Sequence, residues 1–445
     1  MTDPAPPAPT PDPTELLRSR SYVVLLVLGA LLGVPVAAVA YGFLALVTEI
    51  QQYVFTDLPT DLGFDGQPSW WSIPLLAVSG LLVGLTIRHL PGTAGHKPAE
   101  GFKAGGPVPP AELPGIALAA LATLSLGVVL GPEAPLIAIG SGLGVLAVHL
   151  LKRDAPETAV VVIAGAGSFA AIATLLGSPL AGAFLLMEAA GLGGALMGVV
   201  LVPGLLAAGI GSLIYVGLDT WTGLGTFSLA VPDLPAASSP TPAQFAWAVG
   251  IGAAAAVLGA AIKRAALALQ PIVEARMVLL TPAVGVGIGV CVLVFVELTD
   301  RSSAEVLFSG QDQLAPLIDG AAGWTVGALI ALLVCKGGAY ALALSSFRGG
   351  PVFPGMFLGA ALGILASHLP GLPMIAGAAM GIGAMTVAML GLPLVSVLLV
   401  ALFLQADGLV LLPTTIVAVV VSYVLSARLA PEVPTEGAPT PAPSG

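Results

Sequence analysis

The chain has 445 residues, 57% of them hydrophobic and only 9% charged, and its mean hydropathy is +1.02. That composition excludes a soluble globular domain and reads as a protein that crosses a membrane many times. With 14 Lys+Arg against 24 Asp+Glu, it also argues against nucleic-acid binding. The acidic excess is spread over loops and tails and says little about the substrate.

Residues 1–20 are Pro-rich and polar and read as a disordered tail with no signal-peptide pattern. Arg18 and Arg20 stand just before the first apolar run, which points to a cytoplasmic N-terminus. Apolar segments then follow at roughly 22–50, 72–90, 114–130, 133–151, 157–176, 179–191 and 195–217. After a Pro- and Ser-containing linker at 219–242, further segments run at about 243–270, 278–299, 322–345, 353–368, 371–390, 393–404 and 409–427. Residues 429–445 form a second Pro-rich tail. Several segments fall short of the roughly 20 helical residues that cross the hydrocarbon core. Cys291 and Cys335 lie in separate apolar runs and read as small core or lipid-facing residues.

Two short stretches repeat. Gly131-Pro132-Glu133-Ala134-Pro135 and the nine residues after it align with Gly350-Pro351-Val352-Phe353-Pro354 and its continuation at an offset of 219, with six of fourteen positions identical. Gly167 to Leu180 aligns with Gly381 to Leu394 at an offset of 214, sharing Gly177/Gly391 and Pro179/Pro393. Two nearly equal offsets imply one duplicated half, about 21–218 and about 243–428. The offsets alone leave the relative orientation open, but interrupted helices meeting at a midplane site favour inverted repeats. The expected fold is therefore an all-α polytopic membrane protein of two inverted-topology repeats with broken, tilted helices.

Lipid tolerates irregular backbone only where protein encloses it, so the two breaks mark a buried pathway. A proline suits the first turn of a helix, so Pro135 opens a helix whose free N–H groups and positive dipole end attract an anion. Val352 and Phe353 offer a matching end in the second copy. Glu133 lies at the same positive end. Ionised, its carboxylate can fill the anion site itself; protonated, it can leave, which would make it both gate and proton carrier. The plainer alternative is a helix-end carboxylate held by the dipole, but ionisable residues inside a membrane default to function.

These motifs resemble the CLC family of chloride channels and chloride/proton exchangers. Gly131-Pro132-Glu133-Ala134-Pro135 is similar to the family's GREGP motif, and Gly350-Pro351-Val352-Phe353-Pro354 to its GxFxP motif. Gly177-Ser178-Pro179-Leu180-Ala181-Gly182 is similar to NAPLAG, and Lys336 followed by Ser345 to Gly350 matches the usual approach to the second motif. The resemblance covers about residues 20–428. It implies a homodimer with an anion pathway in each subunit, multi-pass in the cytoplasmic membrane with both termini cytoplasmic. Chloride or a similar small monovalent anion, and protons where transport is coupled, would be its partners besides lipid. A bound anion is the one small molecule expected, with no cofactor and no metal. Glu133 takes the place of the gating glutamate. Gly131, Glu133, Ala134, Val352 and Phe353 take the place of the residues whose backbone surrounds the anion.

The departures bear on mechanism. Pro132 replaces a basic residue, and Pro351 has no N–H to offer. The best counterpart of the GSGIP motif is Thr93-Ala94-Gly95-His96-Lys97, which puts Ala94 where the family's anion-selective serine stands. The exchangers' internal proton glutamate falls on Ala189, and its neighbour Glu188 either substitutes for it or is a helix-end or dimer-facing carboxylate. Arg348, one residue before the second motif's glycines, either attracts anions or braces structure. Rival readings are a carrier of another solute on a repeat-built fold and a non-transporting membrane protein. An intramembrane enzyme would need a catalytic partner for Glu133, and no nucleophile elbow, P-loop or HExxH pattern is present, so no enzyme is expected.

Overall fold

Helices carry the whole architecture of the computed structural model, which describes residues 18–103, 106–191, 194–223 and 239–430. The expected tails up to residue 17 and from 431, and the middle of the expected linker at 224–238, lie outside the described residues. In chain order the helices are α1 (Arg20–Gln52), α2 (Leu58–Asp61), α3 (Ser72–His89), α4 (Leu113–Ser125), α5 (Glu133–Leu151), α6 (Glu157–Leu176), α7 (Pro179–Ala189) and α8 (Gly194–Thr222). After the linker come α9 (Pro242–Ala275), α10 (Met277–Thr299), α11 (Gln311–Asp319), α12 (Val326–Ser346), α13 (Val352–Ser367), α14 (Met374–Leu390), α15 (Pro393–Phe403) and α16 (Gln405–Leu429). Among the described residues nine helices are long and apolar enough to cross a membrane, while α4, α7, α13, α14 and α15 are apolar but shorter. The chain is thus a multi-pass membrane protein, with the short helices α7 and α15 at corresponding places in its two halves.

Local sequence explains the stops and starts. Gly177 ends α6 at φ 62° and Gly391 ends α14 at φ 72°, a left-handed conformation that glycine adopts without strain. Pro179 and Pro393 then open α7 and α15 at the first helical position, where no donor is lost. The Ser178 hydroxyl caps α7 by accepting the Ala181 N–H at 3.3 Å.

Each half is built round a tightly crossed helix pair, α5 with α6 and α13 with α14. Gly140 meets Gly167 in the first pair and Gly359 meets Gly381 in the second, so that a Cβ on any of the four would collide with the partner's carbonyl. Without a hydrophobic drive between helices in lipid, such close backbone approach provides the packing energy. α14 is buried at every position from Ile375 to Leu390. A helix apolar all round belongs in a core, and here it lies inside the protein, away from lipid. Apolar side chains such as Leu31, Leu279, Leu298 and Val334 are exposed on the outer helices, facing where lipid would lie.

Two elements had no counterpart in the reading of apolar runs, the single turn α2 and the longer α11. α11 is a nine-residue amphipathic helix that buries Leu314, Leu317 and Ile318. Its polar residues, Gln311, Asp312 and Gln313, hide it from a search for apolar segments.

Candidate functional site at the two helix breaks

The breaks meet. Gly131 and Gly350 form an isolated antiparallel bridge in which the Gly131 N–H donates to the Gly350 carbonyl at 2.8 Å and the Gly350 N–H donates back at 2.6 Å. Pro132 and Pro351 then occupy the cap positions of α5 and α13. The third residue of each helix is again proline, Pro135 and Pro354, so each first turn keeps two donors, at Glu133 and Ala134 and at Val352 and Phe353. Two positive helix ends therefore converge on one spot, as halves of opposite sense would arrange them.

Glu133 fills that spot. Its carboxylate Oε1 accepts the Phe353 N–H at 3.0 Å, and the amides of Glu133 itself and Val352 also face it. The residue is wholly buried, and Oε2 has no hydrogen-bond partner among the described residues. The carboxylate thus sits at the positive ends of both helices.

Two further residues support the second break. Tyr340 on α12 is fully buried and donates its hydroxyl hydrogen to the Pro351 carbonyl at 2.9 Å. One turn earlier, the Lys336 ammonium lies 3.0–3.4 Å from the carbonyls of Glu305, Val306, Leu307 and Phe308. It also sits 4.5 Å from the centre of the Phe357 ring on α13. Sequence reading noticed Lys336 but missed Tyr340. The i, i+4 spacing of a lysine and a tyrosine in an apolar run was the available signal.

Beside the bridge lies a cavity of about 240 Å³ lined by Ala94, Ala134, Ala138, Ser141, Arg348 and Gly349 among others. Ala94 belongs to a tight loop in which Thr93 has φ 50° and Ala94 φ 58°. A β-branched residue at positive φ is strained and persists only where its surroundings hold it. The Arg348 Nε donates to the Thr93 carbonyl at 3.2 Å and holds that loop. His96 follows, its Nε2 donating to the Gly101 carbonyl at 2.8 Å. Burial pushes this imidazole below its ordinary value although the carbonyl bond pulls the other way.

The family model of the voltage-gated chloride channels matches residues 79–427, which include both breaks and the loop of Ala94. The chain belongs to the voltage-gated chloride channel family. It is 30% identical over 364 residues to the Salmonella newport (strain SL254) protein named "Putative ion-transport protein YfeO", covering 80% of this chain and 84% of that one. The Escherichia coli (strain SMS-3-5 / SECEC) protein of the same name is 28% identical over 366 residues, covering 80% and 82%. Among solved structures, a slow cyanobacterial Cl−/H+ antiporter superposes with a TM-score of 0.72 at 18% identity, covering 91% of this chain and 94% of that one. A CLC-type fluoride/proton antiporter superposes with a TM-score of 0.67 at 19% identity, covering 92% and 96%. At that identity the superpositions establish the fold, a repeat-built bundle of broken helices, in agreement with the reading from sequence.

Within the family frame, the structure brings Gly131, Glu133, Val352 and Phe353 together and sets Ala134 and Ala94 on the adjoining cavity. Glu188 lies apart from them, at the contact of α7 with α15. Its Oε1 accepts the Leu394 N–H at 3.0 Å and its Oε2 the Val395 N–H at 2.8 Å, so the half-buried carboxylate caps the first turn of α15.

Proposed function

We propose that this protein carries chloride or a similar small monovalent anion through a pathway between the two breaks, with Glu133 as its gate. The observation that supports the reading best is the Glu133 carboxylate held between two converging helix N-termini by the Phe353 N–H. A site that holds one carboxylate oxygen with backbone donors suits a small anion once the side chain swings away. Protonation neutralises the carboxylate and releases it, so acid opens the gate. The relatives' printed names, an ion-transport protein and two anion/proton antiporters, agree with an anion as cargo.

Transport on this reading is passive. The position of the exchangers' internal proton residue holds Ala189, and the neighbouring Glu188 is committed to the N-terminus of α15. Coupled exchange through Glu188 is the second reading, favoured by the antiporter neighbours. The functional unit is a homodimer in the cytoplasmic membrane with cytoplasmic termini, each subunit having its own pathway, and the protein acts as a transporter and not as an enzyme.

Efflux of chloride, nitrate, bromide and fluoride from liposomes, with external pH recorded, tests this. Anion efflux without proton uptake, accelerated in Glu133→Gln and no longer dependent on pH, is the expected result. Stoichiometric proton uptake would support exchange. Absence of flux for every anion would end the transport reading.

A further inference from the structure

We infer that Arg348 is an anion-binding residue of the cavity beside the breaks, supplying the positive charge that the first break lost at Pro132. The inference rests on the anion-transport reading and adds a residue to it.

Arg348 is 4% exposed, unusually deep for a guanidinium. Its hydrogen bonds leave one end unused. Nε donates to the Thr93 carbonyl, and Nη1 donates to the Ser346 and Phe347 carbonyls at 3.4 and 3.2 Å. Nη2 makes no hydrogen bond among the described residues. The guanidinium is thus pinned along one side by three carbonyls while it lines the cavity with Ala94, Ala134 and Ala138. Those three side chains offer no hydrogen bond of their own, and Arg348 shares the wall with Ser141, His96, Lys103 and Glu112.

The nearby carboxylates, Glu274 and Glu100, favour the Arg348 charge only from a distance. Glu274 pairs with Lys97 at 2.9 Å, Glu100 lies 3.6 Å from Lys97 and 3.7 Å from Lys103, and Gln270 bonds both acids. No carboxylate comes within ion-pair distance of Arg348 among the described residues. Glu112 also lines the cavity and folds over Gly92. A buried cation with no carboxylate partner is costly unless an anion neutralises it. Arg348 also borders a second cavity with Lys97 and Glu274, and a small monovalent anion in the first cavity would neutralise it from the side of Ala94 and Ala134.

A brace alone would give the same burial, so the test needs a readout that a brace does not move. The concentration dependence of anion efflux from liposomes should be measured for wild type, Arg348→Gln and Arg348→Lys, with chloride binding in detergent followed by calorimetry. Loss of one charge-assisted hydrogen bond should raise the half-saturating anion concentration about tenfold in Arg348→Gln, with Arg348→Lys in between. The order of preference between chloride and nitrate should change in both. Should Arg348→Gln fail to fold, Ala138→Glu keeps the guanidinium and places a competing carboxylate in the cavity; it should weaken chloride binding as strongly, and Ala138→Gln should not. Unchanged half-saturation and unchanged selectivity in folded Arg348→Gln, or undiminished chloride binding in Ala138→Glu, would overturn the assignment while leaving anion transport standing. A wild-type protein that binds chloride through Arg348 but passes no anion would overturn the transport reading alone.

Discussion

Gly131 and Gly350 exchange both backbone hydrogen bonds across 219 residues of sequence, tying the two helix breaks directly to one another. The bridge aims two helix N-termini at one point. It also satisfies four polar backbone groups that, left open at that depth, would cost several kcal/mol each. Because each glycine lacks a side chain, the Glu133 carboxylate can lie against both, and a Cβ on either would collide with it.

Gly350→Ala should therefore open the gate. Gly350 has no positive φ, so alanine can keep the backbone, and what its methyl collides with most closely is the carboxylate end of Glu133, the Cβ of that residue lying 3.0 Å away. The carboxylate should leave its seat between Val352 and Phe353. Chloride efflux from liposomes should rise several-fold and lose its difference between about pH 7 and pH 5, as in Glu133→Gln. Efflux that is unchanged and still accelerated by acid would mean that the seated carboxylate is not the gate.

Glu188→Ala separates a cap from a proton relay. As a cap the residue holds the Leu394 and Val395 N–H groups, and removing it should destabilise the protein by about 1–2 kcal/mol. A melting temperature lower by a few degrees, with anion flux and proton movement as in wild type, is the expected outcome. If instead proton movement stops while anion flux continues, Glu188 carries protons despite its position.

Sequence made the breaks legible because glycine and proline are punctuation whose effect is local. The prolines at 132, 135, 351 and 354 and the glycine pairs at 140/359 and 167/381 carry the repeat by themselves. Arg348 and Glu188 were visible as charges, but their roles were undecided, because each depends on a partner far along the chain. Arg348 reaches back 255 residues to Thr93, and Glu188 reaches forward 206 residues to Leu394. The left-handed pair Thr93–Ala94 was hidden for the opposite reason, since neither residue type favours that conformation.

His96 predicts a pH effect on stability. Its folded-state value lies below the ordinary 6.5, with burial as the main cause, opposed by the Gly101 carbonyl and assisted by Lys103 and Arg348. The unfolded chain therefore binds the proton more readily, and stability falls as pH drops from about 6.5 through the folded-state value. His96→Gln should remove this component. The melting temperature should fall less between about pH 7 and pH 5 in the variant than in wild type. An identical fall in both proteins would exclude His96 as a source of acid sensitivity.

Lys336 should prove the most sensitive position outside the breaks. Its ammonium gathers the carbonyls of residues 305–308, and the last of these residues, Phe308, donates its N–H to the Gly127 carbonyl at 3.2 Å on the approach to the first break. Phe308 itself has φ 58°, a conformation that needs such support. Lys336→Met keeps the apolar stem and removes the charge, orphaning the buried carbonyl bonds of Val306 and Leu307. The cost should be about 3 kcal/mol. Thermal unfolding in detergent should show a drop of several degrees, larger than for Glu188→Ala. Protease cleavage should appear in the segment around 305–308, because the lysine holds four successive carbonyls of it. A melting temperature equal to that of wild type would mean that the four carbonyls find other donors and that the loop holds the first break without Lys336.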